Sequence, residues 1–211
     1  MLPILVILLS CGFALGAPTT SARKLPLPVL PANQTQLTIV PNYTCNSGTW
    51  ASVGAVAKLY DISSLPPSCY ANLPALSLAI PVSALPTTPA SGRHRLARAA
   101  PAAPKSPASI FKNAFLGNHF FVTFNGALSP EFDFQVTQGP GEFVIAKRNG
   151  SIPAPTNPTK NVAWLELSEV SGELAKTVYR TSTAGGQPPT SCGTSGALLS
   201  VDYAALYWFL T

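Results

Sequence analysis

Charged residues are scarce in this chain of 211 residues, where Asp, Glu, Lys and Arg together make up only 10%. An average soluble domain carries about 25%, and helix bundles and coiled coils need charged outer faces. The composition therefore argues against both. Apolar residues make up 46%, which is enough to bury a core and disfavours disorder along the whole chain. The 22 prolines and 15 glycines favour short elements joined by many turns.

Histidine is rarer still, because the chain has only His94 and His119. A multi-histidine metal centre is excluded, and no cysteine has a second Cys or a His at ligand spacing, so we expect no metal. The string Gly139-Pro140-Gly141 lacks the third glycine of a dinucleotide fingerprint and precedes a predicted strand, so we expect no cofactor either. The string Gly193-Thr194-Ser195-Gly196-Ala197 lacks the last glycine of a nucleophile elbow. We therefore predict no catalytic residue.

Only eight acidic residues are present, and a glycosidase needs two of them across a cleft. Glu131 and Asp133 fall on one face of a predicted strand, but no spacing pairs carboxylates across a cleft. Asp and Glu are seldom buried, so we interpret the acids as the solvent face of a sheet. The leading hypothesis is a non-catalytic binding or surface protein, and a hydrolase of extracellular polysaccharide is the alternative.

The amino terminus indicates secretion. Residues 2–13 are uncharged and mostly apolar, and small residues follow at 14–17, where a signal peptidase cleaves. A membrane anchor would need about 20 apolar residues, but the polar stretch at 18–24 interrupts the run. We predict a signal peptide at 1–16, an N-terminal segment at 17–35 and an extracellular protein without a transmembrane segment.

Removal of the signal peptide with Cys11 would leave three cysteines, Cys45, Cys69 and Cys192. An oxidising compartment favours one disulfide and one free or intermolecular thiol. Sequence alone allows three pairings. We favour Cys45 with Cys192, because the longest closed loop constrains the unfolded chain most.

Three sequons fit secretion, with acceptors Asn33, Asn42 and Asn149. Asn149 is the best candidate, because Lys147-Arg148-Asn149-Gly150 is typical of an exposed hairpin turn. The fourth Asn-x-Thr string, at Asn157, is excluded by Pro158.

Strand patterns dominate the rest of the chain. In residues 162–170 the side chains of 163, 165 and 167 are apolar and alternate with Trp164, Glu166 and Ser168, as in a half-buried strand. About eight such segments, separated by Gly, Pro, Asn or Ser, favour an all-β antiparallel sandwich or barrel over residues 36–211. The segments are 36–44 and 52–60, expected to form a hairpin, then 118–124, 131–136, 142–147, 162–170, 176–183 and 201–209. Residues 73–85 could form a short helix limited by prolines.

One segment, residues 85–109, is rich in proline and alanine and has little to bury, so we predict a long mobile loop. Residues 62–130 hold five basic and no acidic side chains, so the net charge of +5 is local to this region. The loop is either a solvated linker or an arm for an anionic wall polymer, phospholipid head groups or nucleic acid. Nucleic acid is disfavoured, because no aromatic residue lies between Tyr70 and Phe111 to stack on bases.

Two polar residues stand among apolar strand residues, His119 and Arg180, and they are our candidates for a pocket. His119 could simply bond to the backbone. Arg180 is either a buried cation that binds an acidic ligand or the structural partner of Asp202 or Glu166, since a buried cation needs a paired carboxylate. Exposed aromatics on one sheet face would indicate polysaccharide binding, and the available residues are Trp50, Trp164, Tyr203, Tyr207 and Trp208.

Six strings in order resemble a family of small secreted fungal proteins of undefined function, over about residues 36–211. They are Asn42-Tyr43-Thr44-Cys45, residues 54–61, Gly117-Asn118-His119-Phe120-Phe121, Trp164-Leu165-Glu166-Leu167, residues 179–192 and residues 203–209. Members are sometimes labelled malate dehydrogenases, which no nucleotide-binding turn supports here. The resemblance implies a secreted fungal protein acting at a cell wall, a host or a growth substrate, and it supplies no catalytic residues. The chain departs from the pattern at residues 38–41, where the usual glycines are missing, and in its expanded basic loop.

Secretion can be tested directly. We expect the protein recovered from the culture medium to begin near residue 17, because the apolar run is too short to anchor the chain. Amino-terminal sequencing measures this, and an intact Met1 would contradict the prediction.

Overall fold

In a computed structural model of the chain, the described residues are 42–80, 111 and 114–211, with the backbone of Asn33–Thr35 and Leu37–Thr38. The predicted signal peptide 1–16 and the predicted basic loop 85–109 lie outside the described residues. The strands are β1 (Asn33–Thr35), β2 (Leu37–Thr38), β3 (Tyr43–Asn46), β4 (Thr49–Ser52), β5 (Ala57–Tyr60), β6 (Phe115–Phe124), β7 (Ala127–Asp133), β8 (Phe143–Ile152), β9 (Trp164–Gly172), β10 (Thr177–Gly185), β11 (Leu198–Leu199) and β12 (Tyr203–Leu210). The helices are a 3₁₀ helix (Pro67–Asn72), α1 (Leu73–Leu78) and α2 (Gln135–Gln138).

Nine strands form one antiparallel sheet, in the order β1-β12-β10-β9-β8-β7-β6-β5-β2. Its two edge strands, β1 and β2, are separated by a single residue in the sequence. One residue spans only about 3.6 Å, so the edges must come together and the sheet must curl. The predicted all-β antiparallel fold is confirmed as a curled half-barrel with a second, smaller sheet. The sheet begins at Asn33, slightly before the predicted boundary at residue 36.

Alternation along β12 sends side chains to two different cores. Tyr203, Ala205, Tyr207 and Phe209 point into the curl and pack in its interior. Leu206 lies on the other face, in a cluster with Tyr60, Ile62, Leu73 and Phe111. This strand is therefore buried on both faces, which explains why its sequence is apolar almost throughout.

The 3₁₀ helix and α1 cover the outer face of β10 and β12. The helix predicted after residue 73 is present and ends at Leu78. Inside it, the Ser77 hydroxyl donates to the Leu73 carbonyl oxygen at 2.7 Å. Among the described residues, no helix has both the length and the apolar composition required to cross a bilayer.

The small sheet has the order β11-β3-β4, and we call it the cap. A disulfide between Cys45 and Cys192, whose Cα atoms are 5.8 Å apart, ties the cap to the loop before β11. This confirms the predicted pairing, and Cys69 is a free thiol. The buried Asn42 amide also exchanges two hydrogen bonds with the Val201 backbone, at 2.9 and 3.0 Å. The cap is therefore held by the disulfide and by the Asn42 side chain, which makes the same two hydrogen bonds to Val201 that a paired strand residue would make.

Two local predictions were wrong. The hairpin around Ser47 and Gly48 joins β3 to β4. The predicted second strand, 52–60, is not continuous, because the chain leaves the cap after Ser52 and enters the curled sheet as β5. Gly54, with φ +126°, lies in that crossing. Asn149 lies inside β8 and not in a hairpin turn, at a register shift against β9 between Arg148 and Gly150. The Asn-Gly pair makes a bulge there.

Two glycines of the large sheet, one in β6 and one in β8, provide a matched test of the packing. A Cβ at Gly117 would collide with the Asp133 carbonyl oxygen in β7, whereas a Cβ at Gly150 would meet only ordinary contacts at 3.6 Å with Glu166. We expect Gly117→Ala to lower the free energy of unfolding by about 3 kcal/mol. Gly150→Ala should change it by less than about 1 kcal/mol. Urea unfolding followed by tryptophan fluorescence measures both, and equal effects would contradict the close approach of β6 and β7.

Candidate functional site

His119 lies in β6 with its side chain inside the curled sheet, and it is only 2% exposed. Its ring stacks on Phe132 with centroids 4.3 Å apart. Its Nδ1 lies 2.8 Å from the Glu131 carbonyl oxygen, which can only accept a hydrogen bond. Nδ1 therefore carries the proton, and Nε2 is left with a lone pair.

The pKa of His119 is lowered to about 4: burial is the main cause, the hydrogen bond to the Glu131 carbonyl opposes it, and the Arg180 charge adds to the lowering. The ring is thus neutral at neutral pH. Nε2 has no hydrogen-bond partner among the described residues. A buried acceptor without a partner is unusual in a folded protein, and it accepts a donor from whatever enters the adjacent space.

Arg180 lies in β10, directly opposite Tyr207 in β12 and Leu165 in β9. Its Nε and Nη2 donate to the Ala163 carbonyl oxygen at 3.2 and 2.9 Å. The guanidinium carbon is 5.6 Å from the centre of the Tyr203 ring. Burial lowers the pKa of Arg180, but the Tyr207 and Tyr203 hydroxyls outweigh burial and raise it above its ordinary value. Arg180 is therefore a permanent cation.

No carboxylate lies within 4.0 Å of this cation, although all eight acidic residues belong to the part of the chain that the structure describes. The expected pairing of Arg180 with Asp202 or Glu166 was wrong. Glu166 pairs with Tyr179 and so lies on the opposite face of the sheet from Arg180, where its Oε1 accepts from Asn149 Nδ2 at 2.8 Å. Asp202 is exposed in the loop before β12. Arg180 is thus held by a carbonyl group and aromatic rings, without an ionic partner from the chain.

His119 and Arg180 line the same cavity, whose volume is about 30 Å³. Such a space holds about two water molecules. His119 and Tyr207 are buried deeply in its wall, whereas Phe121, Pro130 and Leu165 are partly exposed and form its outer part. The cavity can therefore admit a small polar group from outside but not a sugar ring. A bulge in β10 follows Arg180 directly, with Ser182 at φ +48°, and bulges are frequent beside functional sites.

Tyr203 and Tyr207 were named from the sequence among the aromatics available for an exposed, polysaccharide-binding face, but the structure places them inside the sheet. Tyr203 and Tyr207 are 4% and 1% exposed, so they cannot belong to an exposed aromatic stripe. Their hydroxyl oxygens are 3.3 Å apart, and burial raises the pKa of Tyr207. Trp208 packs on Tyr70 outside the sheet and donates to the Thr181 hydroxyl at 2.8 Å. The alternation of residues 203, 205, 207 and 209 was the signal that could have placed the tyrosines inside.

The cap lies at the same end of the curled sheet as Arg180. The Tyr43 hydroxyl in β3 donates to the Gly186 carbonyl oxygen at 2.8 Å. Burial raises the pKa of Tyr43, and the nearby Arg180 charge opposes this effect. Gly54, just after β4, approaches Phe121 so closely that a Cβ there would be 3.2 Å from the Phe121 side chain. The cap and the segment that follows it therefore lie close to Arg180 and Phe121, two of the residues that line the cavity.

Two carboxylates lie side by side elsewhere, on the outer face of the sheet. Glu131 and Asp133 alternate with the inward-facing Phe132 along β7, so their Cα atoms are about 7 Å apart. Burial raises the pKa of Glu131, and the Asp133 charge raises it further. The Asp133 carboxylate accepts from the Gln135 backbone N–H at 2.9 Å. Within the part of the chain that the structure describes, this pair is the feature that favours the hydrolase alternative.

The predicted glycosylation sites differ in their surroundings. Asn149 is exposed. The Asn42 side chain is 3% exposed and its Nδ2 is bonded to Val201, so the folded surface favours Asn149 as the acceptor. Asn33 lies in β1, and its side chain falls outside the described residues. Within the described residues, no three His, Cys, Asp or Glu side chains are grouped as a metal site.

Fold and cavity together define a class: a curled antiparallel β domain with one polar interior site beside a disulfide-linked cap. The chain belongs to the family described as "Protein of unknown function (DUF3455)", which matches residues 32–211. The match confirms one part of the resemblance noted in the sequence, namely that most of the chain belongs to a family of undefined function. No curated protein and no solved structure matches the chain.

The depressed pKa of His119 predicts a pH dependence of stability. Between the unfolded pKa of about 6.5 and the folded pKa of about 4, the unfolded chain binds more protons, so stability rises with pH. Acidification through this window should remove about 3 kcal/mol from the free energy of unfolding. In His119→Phe, which keeps a ring against Phe132, this slope should disappear.

Urea unfolding between pH 4 and 7 measures the slope. His94→Gln, which alters the other histidine in the predicted loop, is the control and should keep the wild-type slope. An unchanged slope in His119→Phe would contradict the burial of a neutral His119.

Proposed function

We propose that this protein is a secreted, non-catalytic fungal binding protein that recognises extracellular polysaccharide, at a cell wall or a host interface, through the cavity at Arg180. Arg180 carries the proposal: it is a permanent cation on the inner face of the curled sheet, only partly exposed to solvent, and none of the chain's carboxylates lies within 4.0 Å of it. Removing an ion from water costs several kcal/mol unless it is paired. A ligand that supplies the missing partner accounts for a group that the fold alone does not need.

An extracellular role is supported by the disulfide between Cys45 and Cys192, because disulfides persist in oxidising compartments. The signal-like amino terminus and the exposed sequon at Asn149 agree with it. The net charge of +5 favours attraction to anionic polymers. These features support an extracellular polymer as the ligand.

A hydrolase of extracellular polysaccharide is the second candidate. Its support is the raised pKa of Glu131 beside Asp133, because a carboxyl group with a raised pKa can act as a general acid. Both side chains lie on the outer face of β7, away from the Arg180 cavity. The two candidates therefore depend on different strands and opposite faces of the same sheet and can be separated by substitution.

The binding role can be measured by retention on a panel of immobilised cell-wall polysaccharides. We expect Arg180→Gln to weaken retention at least tenfold, because it removes the charge that faces the cavity. Arg148→Gln removes the same charge from an exposed position in β8 and serves as the matched control. It should retain wild-type binding, since both variants have the same net charge.

Three outcomes decide between the candidates. Loss of retention in Arg180→Gln alone supports the binding role. Equal weakening in both arginine variants, or no retention on any polysaccharide, contradicts it. Release of reducing ends by the wild type, abolished in Glu131→Gln and kept in Arg180→Gln, supports the hydrolase.

A further inference from the structure

The hydrogen-bonding groups around the cavity indicate which chemical group fits it. Arg180 contributes one positive charge. Its two bonds to Ala163 use two of its five N–H groups, and it also interacts with the Tyr203 and Tyr207 hydroxyls, which can accept from it. The Tyr203 and Tyr207 hydroxyls share a single hydrogen bond, which uses only one of their two protons. The other hydroxyl proton needs an acceptor. One wall of the cavity is therefore rich in donors and carries a charge of +1.

The opposite wall provides an acceptor. His119 is neutral at neutral pH, Nδ1 is used by the Glu131 carbonyl, and Nε2 has no partner among the described residues. The His119 side chain is only 2% exposed, so bulk water does not donate a hydrogen bond to its Nε2 lone pair. A ligand that fits the cavity thus presents an anionic oxygen to Arg180 and a hydroxyl group, or a water molecule, to His119.

The size of the cavity and its single positive charge limit which chemical group of a ligand can enter it. A volume of about 30 Å³ accommodates the two oxygens of a carboxylate but not a ring. A carboxylate carries one negative charge, which matches a single guanidinium, whereas a phosphate dianion would remain half compensated. The carbon skeleton would stay in the outer part, against the partly exposed Phe121, Pro130 and Leu165, where apolar contacts are available.

We propose that the cavity between His119, Arg180 and Tyr207 is a carboxylate-binding site, which takes the acid group of a uronic acid in a polysaccharide or of a free small organic acid. This inference deepens the proposed binding function and rests on it for the polysaccharide source only. Arg180 and a tyrosine hydroxyl donate to the carboxylate oxygens, and His119 Nε2 accepts from the neighbouring hydroxyl or from a water molecule.

Calorimetric titration of the full secreted protein with sodium glucuronate tests the site. Glucuronic acid methyl ester and glucose are the matched neutral probes. We expect saturable binding of glucuronate, at least tenfold weaker binding of both neutral probes, and at least tenfold weaker glucuronate binding in Arg180→Gln. Arg148→Gln should bind as the wild type does. Equal binding of glucuronate and its methyl ester, or no glucuronate binding, would overturn the proposal.

Tyr207→Phe provides a second variant in case Arg180→Gln does not fold, as judged by its circular dichroism. Phenylalanine keeps the buried ring and removes only the hydroxyl, so it should weaken glucuronate binding at least threefold without shifting binding of the ester. An unchanged glucuronate affinity in a folded Tyr207→Phe, together with an unchanged or unmeasurable Arg180→Gln, would overturn the site.

Two further arms distinguish the sources of the carboxylate. Binding of acetate at the same site, shown by competition with glucuronate, supports a free organic acid. Retention on polygalacturonate that is lost on its methyl-esterified form supports a polysaccharide. Retention that is lost in Arg180→Gln but is insensitive to esterification overturns the carboxylate site and leaves the proposed binding function intact. Glucuronate binding without retention on any polysaccharide overturns the proposed binding function and leaves the carboxylate site intact. Retention that is insensitive to both changes overturns both.

Discussion

The two edge strands of the large sheet, β1 and β2, are separated by one residue in the sequence, so the sheet curls into a half-barrel and every second side chain of its strands points to the inner face. Most of those side chains are apolar, so the interior forms one core whose members run from Ala55 to Phe209. Arg180 and His119 obey the same alternation and are carried inside with their apolar neighbours. The position of these polar groups is thus imposed by strand register, and the fold must compensate for their removal from water.

The chain compensates only in part for the removal of Arg180 and His119 from water. His119 gains a backbone bond and a stacked ring, and Arg180 gains a carbonyl acceptor and a tyrosine face. Neither receives its full set of partners: the arginine has no anion, and the histidine has a free lone pair. Such incomplete satisfaction is expected where a fold retains a feature for binding and not for stability. The Cys45–Cys192 disulfide and the Asn42 amide hold the cap in place near Arg180.

Sequence reasoning succeeded where one strand carries the whole signal. Alternation in residues 162–170 predicted which side chains of β9 face inward, and the isolation of His119 and Arg180 among apolar residues predicted two groups that the structure brings to one cavity. It failed where the answer depends on pairing between distant strands. Glu166 faces away from Arg180 because Arg180 is opposite Leu165, and this register is not encoded in either strand alone. For the same reason, the Asn149-Gly150 pair predicted a turn, whereas pairing with β9 makes it a bulge.

The proposed function requires that the counter-ion of Arg180 comes from outside the chain. Anomalous diffraction from crystals soaked in sodium bromide tests it most directly, because bromide is a small univalent anion that can replace a carboxylate oxygen. We expect an anomalous peak between Arg180 and Tyr207, within hydrogen-bonding distance of the guanidinium. A carboxylate of the chain itself bonded to Arg180 in those crystals, or a cavity without any anion at high bromide concentration, would contradict the carboxylate site and the binding function built on it.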